Sequence, residues 1–279
     1  MIHLGLIGYP LGHSLSPKIH TAALKACDLE GDYSLFPIEP NDKVGLKKLL
    51  DQVRAGEIQG LNVTIPHKQN VIEFVDELTS TAKSVGAVNT IYLKDKKLIG
   101  GNTDANGFLT DLKRFTGNRA SEIGDCKSAI VLGAGGSARA VVYALLNDNW
   151  NVTLTSRRLE QAQELAKSFT NYQLPITNYD DLPTYNFQTF QLIINTTPLG
   201  MTPNIDQSPL PENLPLPANI FIYDLVYNPR ETKLVRDARL QGLQATTGLG
   251  MLIEQAALAF ETWTGKNPPR EILWKAVES

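Results

Sequence analysis

The stretch Ser128–Leu146, SAIVLGAGGSARAVVYALL, decides how this chain is read. An apolar run ends at Leu132, a glycine turn follows, and a helical pattern begins at once. Gly133, Gly135 and Ala138 fit the spacing G-x-G-x-x-G/A. The spacing means little alone; between a buried strand and a helix it marks the entrance to a dinucleotide-binding α/β unit. Glycines there permit a tight turn and close approach of the backbone. Gly133, Ala134, Gly135, Gly136 and Ser137 would then present helix-terminal N–H groups to a pyrophosphate. The competing reading is a glycine-rich turn that holds no ligand.

The next strand, NVTLTS, ends in Ser156-Arg157-Arg158, roughly 20 residues beyond the glycines. An NAD site favours Asp or Glu there, to bond the ribose hydroxyls. Two guanidinium groups and no acid favour the extra 2′-phosphate of NADP. As a merely solvated pair they would sit badly, since a helix start repels cations.

Working outward, apolar runs alternate with helical patterns on both sides. HLGLIG leads to a helix from Lys18, YSLFPIEP to KVGLKKLLDQV, and IQGLNVTIP to a helical reading of NVIEFVDEL. AVNTIYL meets KLIGG across the charged turn KDKK, which predicts a hairpin over 88–101. The helix DANGFLTDLKRF precedes a polar connector, TGNRASEIGDCK, the first plausible linker. Beyond the glycine motif come the helix LEQAQELAKSF, the strands FQLIINTTP and NIFIYDLVY, and two closing helices, GLGMLIEQAALAFETWTG and PPREILWKAV. The fold class is α/β with two units.

Composition narrows the function classes. With 279 residues, 42% hydrophobic and 20% charged, the chain has ample core for two modest domains. A formal net charge of −3 gives no general attraction to nucleic acid or to an anionic membrane. No apolar run approaches membrane-spanning length, and the N-terminus shows no charged leader followed by an apolar core. Cys27 and Cys126 form no C-x-x-C, so a reducing, cytoplasmic setting is expected. His3, His13, His20 and His67 show no metal-ligand spacing, and no metal is expected.

A nicotinamide enzyme that oxidises an alcohol needs a group to take the hydroxyl proton as hydride departs. LNVTIPHK puts Asn62, Thr64 and Lys68 at the end of a strand, and GGNTDANG puts Asp104 after the hairpin. Polar groups ending apolar strands are where open α/β sheets bind ligands. Each residue also has a plainer reading: Lys68 a solvated lysine, Asp104 a helix N-cap, Asn89 a strand-end hydrogen bonder, Gln255 a polar position on a helix. In GYPLGHSLSPKIH, Pro17 suits the first helical position, which makes Ser16 the N-cap and leaves Ser14 in the loop to meet a ligand.

The series GHSLSPKIH, GLNVTIPHK, GAVNT, GGNTDANG, VLGAGGSARA, NTTPLGM, YDLVYNP and GLGMLIEQA, in this order, resembles the shikimate dehydrogenase family nearly end to end. The resemblance implies a substrate domain from residues 1–104 and 247–279, a Rossmann NADP-binding domain over 105–246, and an active site in the cleft between them. It implies that Lys68 and Asp104 form the catalytic pair. Ser14, Ser16, Asn62, Thr64, Asn89 and Gln255 would hold shikimate or 3-dehydroshikimate. Tyr227 and Met251 match positions near substrate and nicotinamide, and Leu225 and Gly248 match cofactor contacts. One departure stands out: the family often reads Asn-Arg-Thr where this chain has Ser156-Arg157-Arg158, and Gln161 replaces a common arginine. The expected partners are these small molecules, with no nucleic acid and no membrane, in a monomer or homodimer. A quinate or quinate/shikimate dehydrogenase, and an NADP- and shikimate-binding sensor without chemistry, are the competing functions.

Overall fold

The computed structural model describes residues 1–117, 127–212 and 214–278, which form two compact units. One comprises Met1–Gly107 together with residues from Leu252 onward, and the other Phe108–Met251. The connector, including Cys126, lies largely outside the described residues.

The first unit is built on a six-stranded mixed sheet. Its strands are β1 (Ile2–Gly8), β2 (Gly31–Pro37), β3 (Gly60–Val63), β4 (Glu77–Leu78), β5 (Thr90–Lys94) and β6 (Lys97–Gly101), in the order β2-β1-β3-β5-β6-β4. β1 runs parallel to both β2 and β3, whereas β5 is antiparallel to β3 and β6. The expected hairpin is β5–β6, and its turn residues Asp95 and Lys96 both have positive φ, 50° and 63°. Such a turn matches the right-handed twist of the strands it joins. Helices α1 (Ser16–Ala26), α2 (Lys43–Arg54) and α3 (Ser80–Val85) belong to this unit. Asp42 caps α2 through the Gly45 N–H at 2.8 Å, and Leu46, Leu49, Leu50 and Val53 face the core. This is an amphipathic stripe at helical spacing.

NVIEFVDEL is not the helix its pattern predicts. It forms a single 3-10 turn, Asn70–Phe74, followed by the short strand β4. Asp76 decides this: its N–H bonds Leu98 O, and its carboxylate takes the Leu98 N–H and the Arg54 guanidinium. These tertiary bonds override the local propensity.

The second unit is a six-stranded, wholly parallel sheet of β7 (Ser128–Leu132), β8 (Asn151–Ser156), β9 (Ile176–Asn178), β10 (Leu192–Asn195), β11 (Phe221–Asp224) and β12 (Gln244–Thr247). The order is β12-β11-β10-β7-β8-β9, the doubly wound arrangement with its reversal between β7 and β10. Central strands read as continuous apolar runs because both faces are covered: all four residues of β10 and of β11 are buried. Helix α4 (Asp104–Thr116) precedes this sheet, and α5 (Gly136–Asn147), α6 (Leu159–Lys167) and α7 (Lys233–Leu240) accompany it. Helices α8 (Leu249–Thr264) and α9 (Arg270–Glu278) close the chain. Among the described residues, no helix is long and apolar enough to cross a membrane.

Candidate active site

In the first unit the parallel strands β1 and β3 end side by side, with Asn62 inside β3 and Thr64 and Lys68 following it. The Val63 N–H bonds Asn89 O at 2.8 Å and the Val88 N–H bonds Lys68 O at 2.7 Å, so two segments distant in sequence are laced together. Lys68 Nζ then meets Asp104 Oδ2 at 2.8 Å. Both side chains are nearly enclosed, 11% and 6% exposed. Asp104 is the first residue of α4 rather than a cap, because the Asn102 side chain takes the Ala105 N–H at 3.2 Å. Its carboxylate is thereby left to the lysine.

Asn89 organises the remainder. Its Nδ2 lies 2.8 Å from Asp104 Oδ1, 2.9 Å from Thr103 Oγ1 and 3.2 Å from Gln255 Oε1. Its Oδ1 accepts from the Thr103 N–H at 2.7 Å and the Thr90 hydroxyl at 2.9 Å. Gln255 reaches this group because α4 and α8 approach closely at Gly107, where a Cβ would stand 2.7 Å from the Gln255 nitrogen. Asn62 joins through Nδ2, which donates to Asn89 O at 3.2 Å. Asn62, Lys68, Asn89, Asp104 and Gln255 therefore form one connected, largely buried set. Thr103 belongs to it as well, and no spacing signal in the sequence singles it out. Thr64 follows directly after β3 and packs on Gly8 at the end of β1.

Ser14 lies in the connection from β1 to α1, as the sequence reading expects, whereas Ser16 is not the cap expected of it. Helix α1 begins at Ser16, with Leu15 in the capping position and making no side-chain cap. It is Ser14 Oγ that accepts the Ser16 N–H, at 3.2 Å. Ser16 is buried as the first helical residue, so the cap expected of it is not formed: Leu15 holds the capping position without a side-chain bond, and Ser14 closes only a local turn onto the Ser16 N–H. Pro17 moves to the second helical position, where a missing N–H is equally harmless.

In the second unit, Gly133 follows β7 with φ +111°, and a Cβ there would meet Thr196 Oγ1 at 2.5 Å. Only glycine serves such a turn. Thr196 follows β10, so the turn lies where the strand order reverses, the usual place for a nucleotide. Gly135 is the extended N-cap of α5 and puts no side chain over the helix's first N–H groups. This cradle fits a dinucleotide pyrophosphate. At the end of β8, Ser156 Oγ accepts the Arg158 N–H at 3.1 Å, while both Arg157 and Arg158 are exposed at the start of α6. Tyr179 lies near enough to Arg157 for that charge to oppose the upward pull of burial on its phenol.

Arg139, inside the glycine motif, is buried and turns away from the phosphate cradle to bond Ser168 Oγ at 2.9 Å and approach Glu164 at 3.5 Å. Leu225 is tied by its N–H to Asn195 O at 2.9 Å, and Gly248 packs against its carbonyl. Met251 is buried, and Tyr227 is partly buried, its phenol pushed up by that burial. Beneath them Asp224 is fully buried, accepting from Asn195 Nδ2 (2.8 Å), the Val226 N–H (3.0 Å) and the Thr232 hydroxyl (2.6 Å). Burial raises its carboxyl to about 6 against those three donors. Asp224 shapes the turn that carries Leu225 and Tyr227. The only sequence signal for it is a charge ending an apolar strand.

Comparisons with known proteins identify the lineage. Residues 6–91 match the shikimate dehydrogenase substrate binding domain, 118–234 shikimate / quinate 5-dehydrogenase, and 248–278 the shikimate 5'-dehydrogenase C-terminal domain. Shikimate dehydrogenase (NADP(+)) of Carboxydothermus hydrogenoformans is 40% identical over 275 residues, covering 98% of this chain and 95% of its own. The chain belongs to the shikimate dehydrogenase family. The Bacillus subtilis enzyme of the same name is 39% identical, with 95% and 92% covered. A crystal structure of shikimate 5-dehydrogenase from Thermus thermophilus in complex with NADP(H) and shikimate is 35% identical, with a TM-score of 0.85 over 100% of this chain and 99% of that one.

Proposed function

We propose that this protein interconverts shikimate and 3-dehydroshikimate with NADP, with Lys68 and Asp104 as its catalytic pair. NADP supplies or accepts the hydride when bound. The chain's own residues hold the ring and manage the proton. The observation that carries this reading is the enclosed Lys68–Asp104 contact at 2.8 Å, buttressed by Asn89 on the other carboxylate oxygen. Lys68 would bond the reacting oxygen and Asp104 would orient both lysine and hydroxyl. In the oxidative direction the hydroxyl proton passes to this pair, and in reduction it returns to the carbonyl oxygen. Excluding water strengthens each of these contacts.

Asn62, Thr64, Asn89 and Gln255 would hold the ring hydroxyls, and Ser14 and Ser16 the carboxylate, which gains from the positive end of α1. For NADP, Gly133–Ser137 would cradle the pyrophosphate and Ser156, Arg157 and Arg158 would take the 2′-phosphate. Leu225, Gly248 and Met251 would lie along the nicotinamide half, with Tyr227 toward substrate. A free thiol at Cys27 suits a reducing cytoplasm. The test is spectrophotometric: reduced cofactor formed from shikimate or quinate, each with NADP and with NAD. Turnover of shikimate with NADP well above the other pairs is expected. Preference for quinate, or for NAD, would overturn the assignment.

A further inference from the structure

The Asn62 amide is held from both ends. Its nitrogen donates to Asn89 O, an atom that can only accept, so the two ends of the amide cannot be exchanged. Asn62 Oδ1 therefore faces the Tyr33 hydroxyl, which must donate to it, at 2.8 Å. Tyr33 comes from β2, on the opposite side of β1 from β3, and is 8% exposed. Its ring lies flat on the imidazole of His20, with centroids 4.3 Å apart and planes 3° apart. Phe260 and Trp263 close around the same imidazole at 6.3 and 5.3 Å. His20 is fully buried, and burial brings its pKa down to about 3 with Asn62 opposing, so a neutral ring backs the tyrosine near neutral pH. An asparagine amide has two N–H groups, and Asn89 takes one of those of Asn62.

We propose that Tyr33 is a positioning residue that acts through Asn62: Asn89 O fixes which end of the amide is the nitrogen, and the Tyr33 hydroxyl holds Oδ1 in place so that the second N–H is presented to the substrate as a donor. The inference rests on the reading of Asn62 as a substrate contact. It assigns to the hydroxyl met by Asn62 the role of acceptor there, and so obliges that hydroxyl to donate its own proton elsewhere. The wall behind Asn62 serves recognition through the aromatic stack that keeps the phenol in place.

A double-mutant cycle tests it, with the KM for shikimate as the readout and the KM for NADP as control. Tyr33→Phe keeps the ring and its stacking and removes only the donor. It should raise the shikimate KM roughly 3- to 10-fold, the worth of one neutral hydrogen bond, with kcat and the NADP KM nearly unchanged. In an Asn62→Ala background the same substitution should leave the shikimate KM nearly unmoved, because the group it acts through is gone. An equal rise in both backgrounds, or no rise in either, would overturn the inference. A wild-type protein that forms no NADPH from shikimate would instead overturn the activity itself, and this inference with it.

Discussion

The two units make their candidate sites from different materials. In the first, the site is a web of buried side chains: Lys68, Asp104, Asn89, Asn62 and Gln255 hold one another, and few of their polar atoms are left to solvent. In the second, the cradle is backbone, a glycine turn at φ +111° and the bare start of α5, flanked by two exposed arginines. A ring with several hydroxyls must be told from close relatives, which needs donors and acceptors fixed in direction, and fixing them requires burial and mutual support. A pyrophosphate needs only N–H groups and positive potential, which a strand–turn–helix supplies from its main chain. The first site should therefore fail abruptly on substitution and the second should weaken by degrees.

The largest effect expected is at the enclosed pair. Lys68→Ala should lower kcat by roughly 10²- to 10⁴-fold while shikimate binding weakens far less. Asp104→Asn should do the same, although it keeps the shape and the contact with Asn89. Steady-state kinetics with a binding titration decides this, and near-wild-type kcat in both variants would end the contrast between the two sites.

At the cofactor site the loss should be graded. Arg157→Ala should weaken NADP binding about tenfold and leave NAD nearly untouched, at the low end for a charge-assisted bond because the guanidinium is exposed. The preference for NADP should also shrink as salt rises. Titrating both cofactors at low and high ionic strength checks both statements. Equal weakening of NADP and NAD would make the loop structural.

The smallest effect separates the two serines. Ser14→Ala should lower stability by about 0.5–1 kcal/mol through loss of its one bond to the Ser16 N–H, and should also raise the shikimate KM. Ser16→Ala should raise that KM with a smaller stability loss. Thermal melts of both variants read the difference, and the reverse order would restore Ser16 as the cap.

These contrasts also mark how far the sequence could be read. The β7–turn–α5 unit was legible because its signals are local: a run buried on both faces, a glycine where φ must be positive, then a helical period. The hairpin was legible for the same reason. NVIEFVDEL reads as a helix and is not one because Asp76 is held by Arg54 and Leu98, each 22 residues away. β9 and β12 (ITN and QATT) carry too little apolar pattern to announce themselves, whereas helix α7 is amphipathic, with Leu234, Val235 and Ala238 buried, but spans only 8 residues. In the candidate site, Lys68 and Asp104 each look ordinary alone; their strand-end placement offers them as an acid–base pair, and the family resemblance supports that pairing. Asn89 and Gln255 are 166 residues apart and share no pattern that links them. That Ser16 opens the helix without capping it is beyond propensity, since two hydroxyls one residue apart compete for the same N–H groups.

The return of the last helices to the first unit has a consequence for how the protein is born. Residues from Leu252 onward bring Gln255 to Asn89, and Trp263 donates its indole N–H to Ile91 O at 3.2 Å. On the ribosome, the uninterrupted Phe108–Met251 segment is synthesised whole before either group exists. Domains ordinarily fold in the order they emerge. Here the unit that starts first is completed last, and its sheet waits through the synthesis of the other for the helix that covers it.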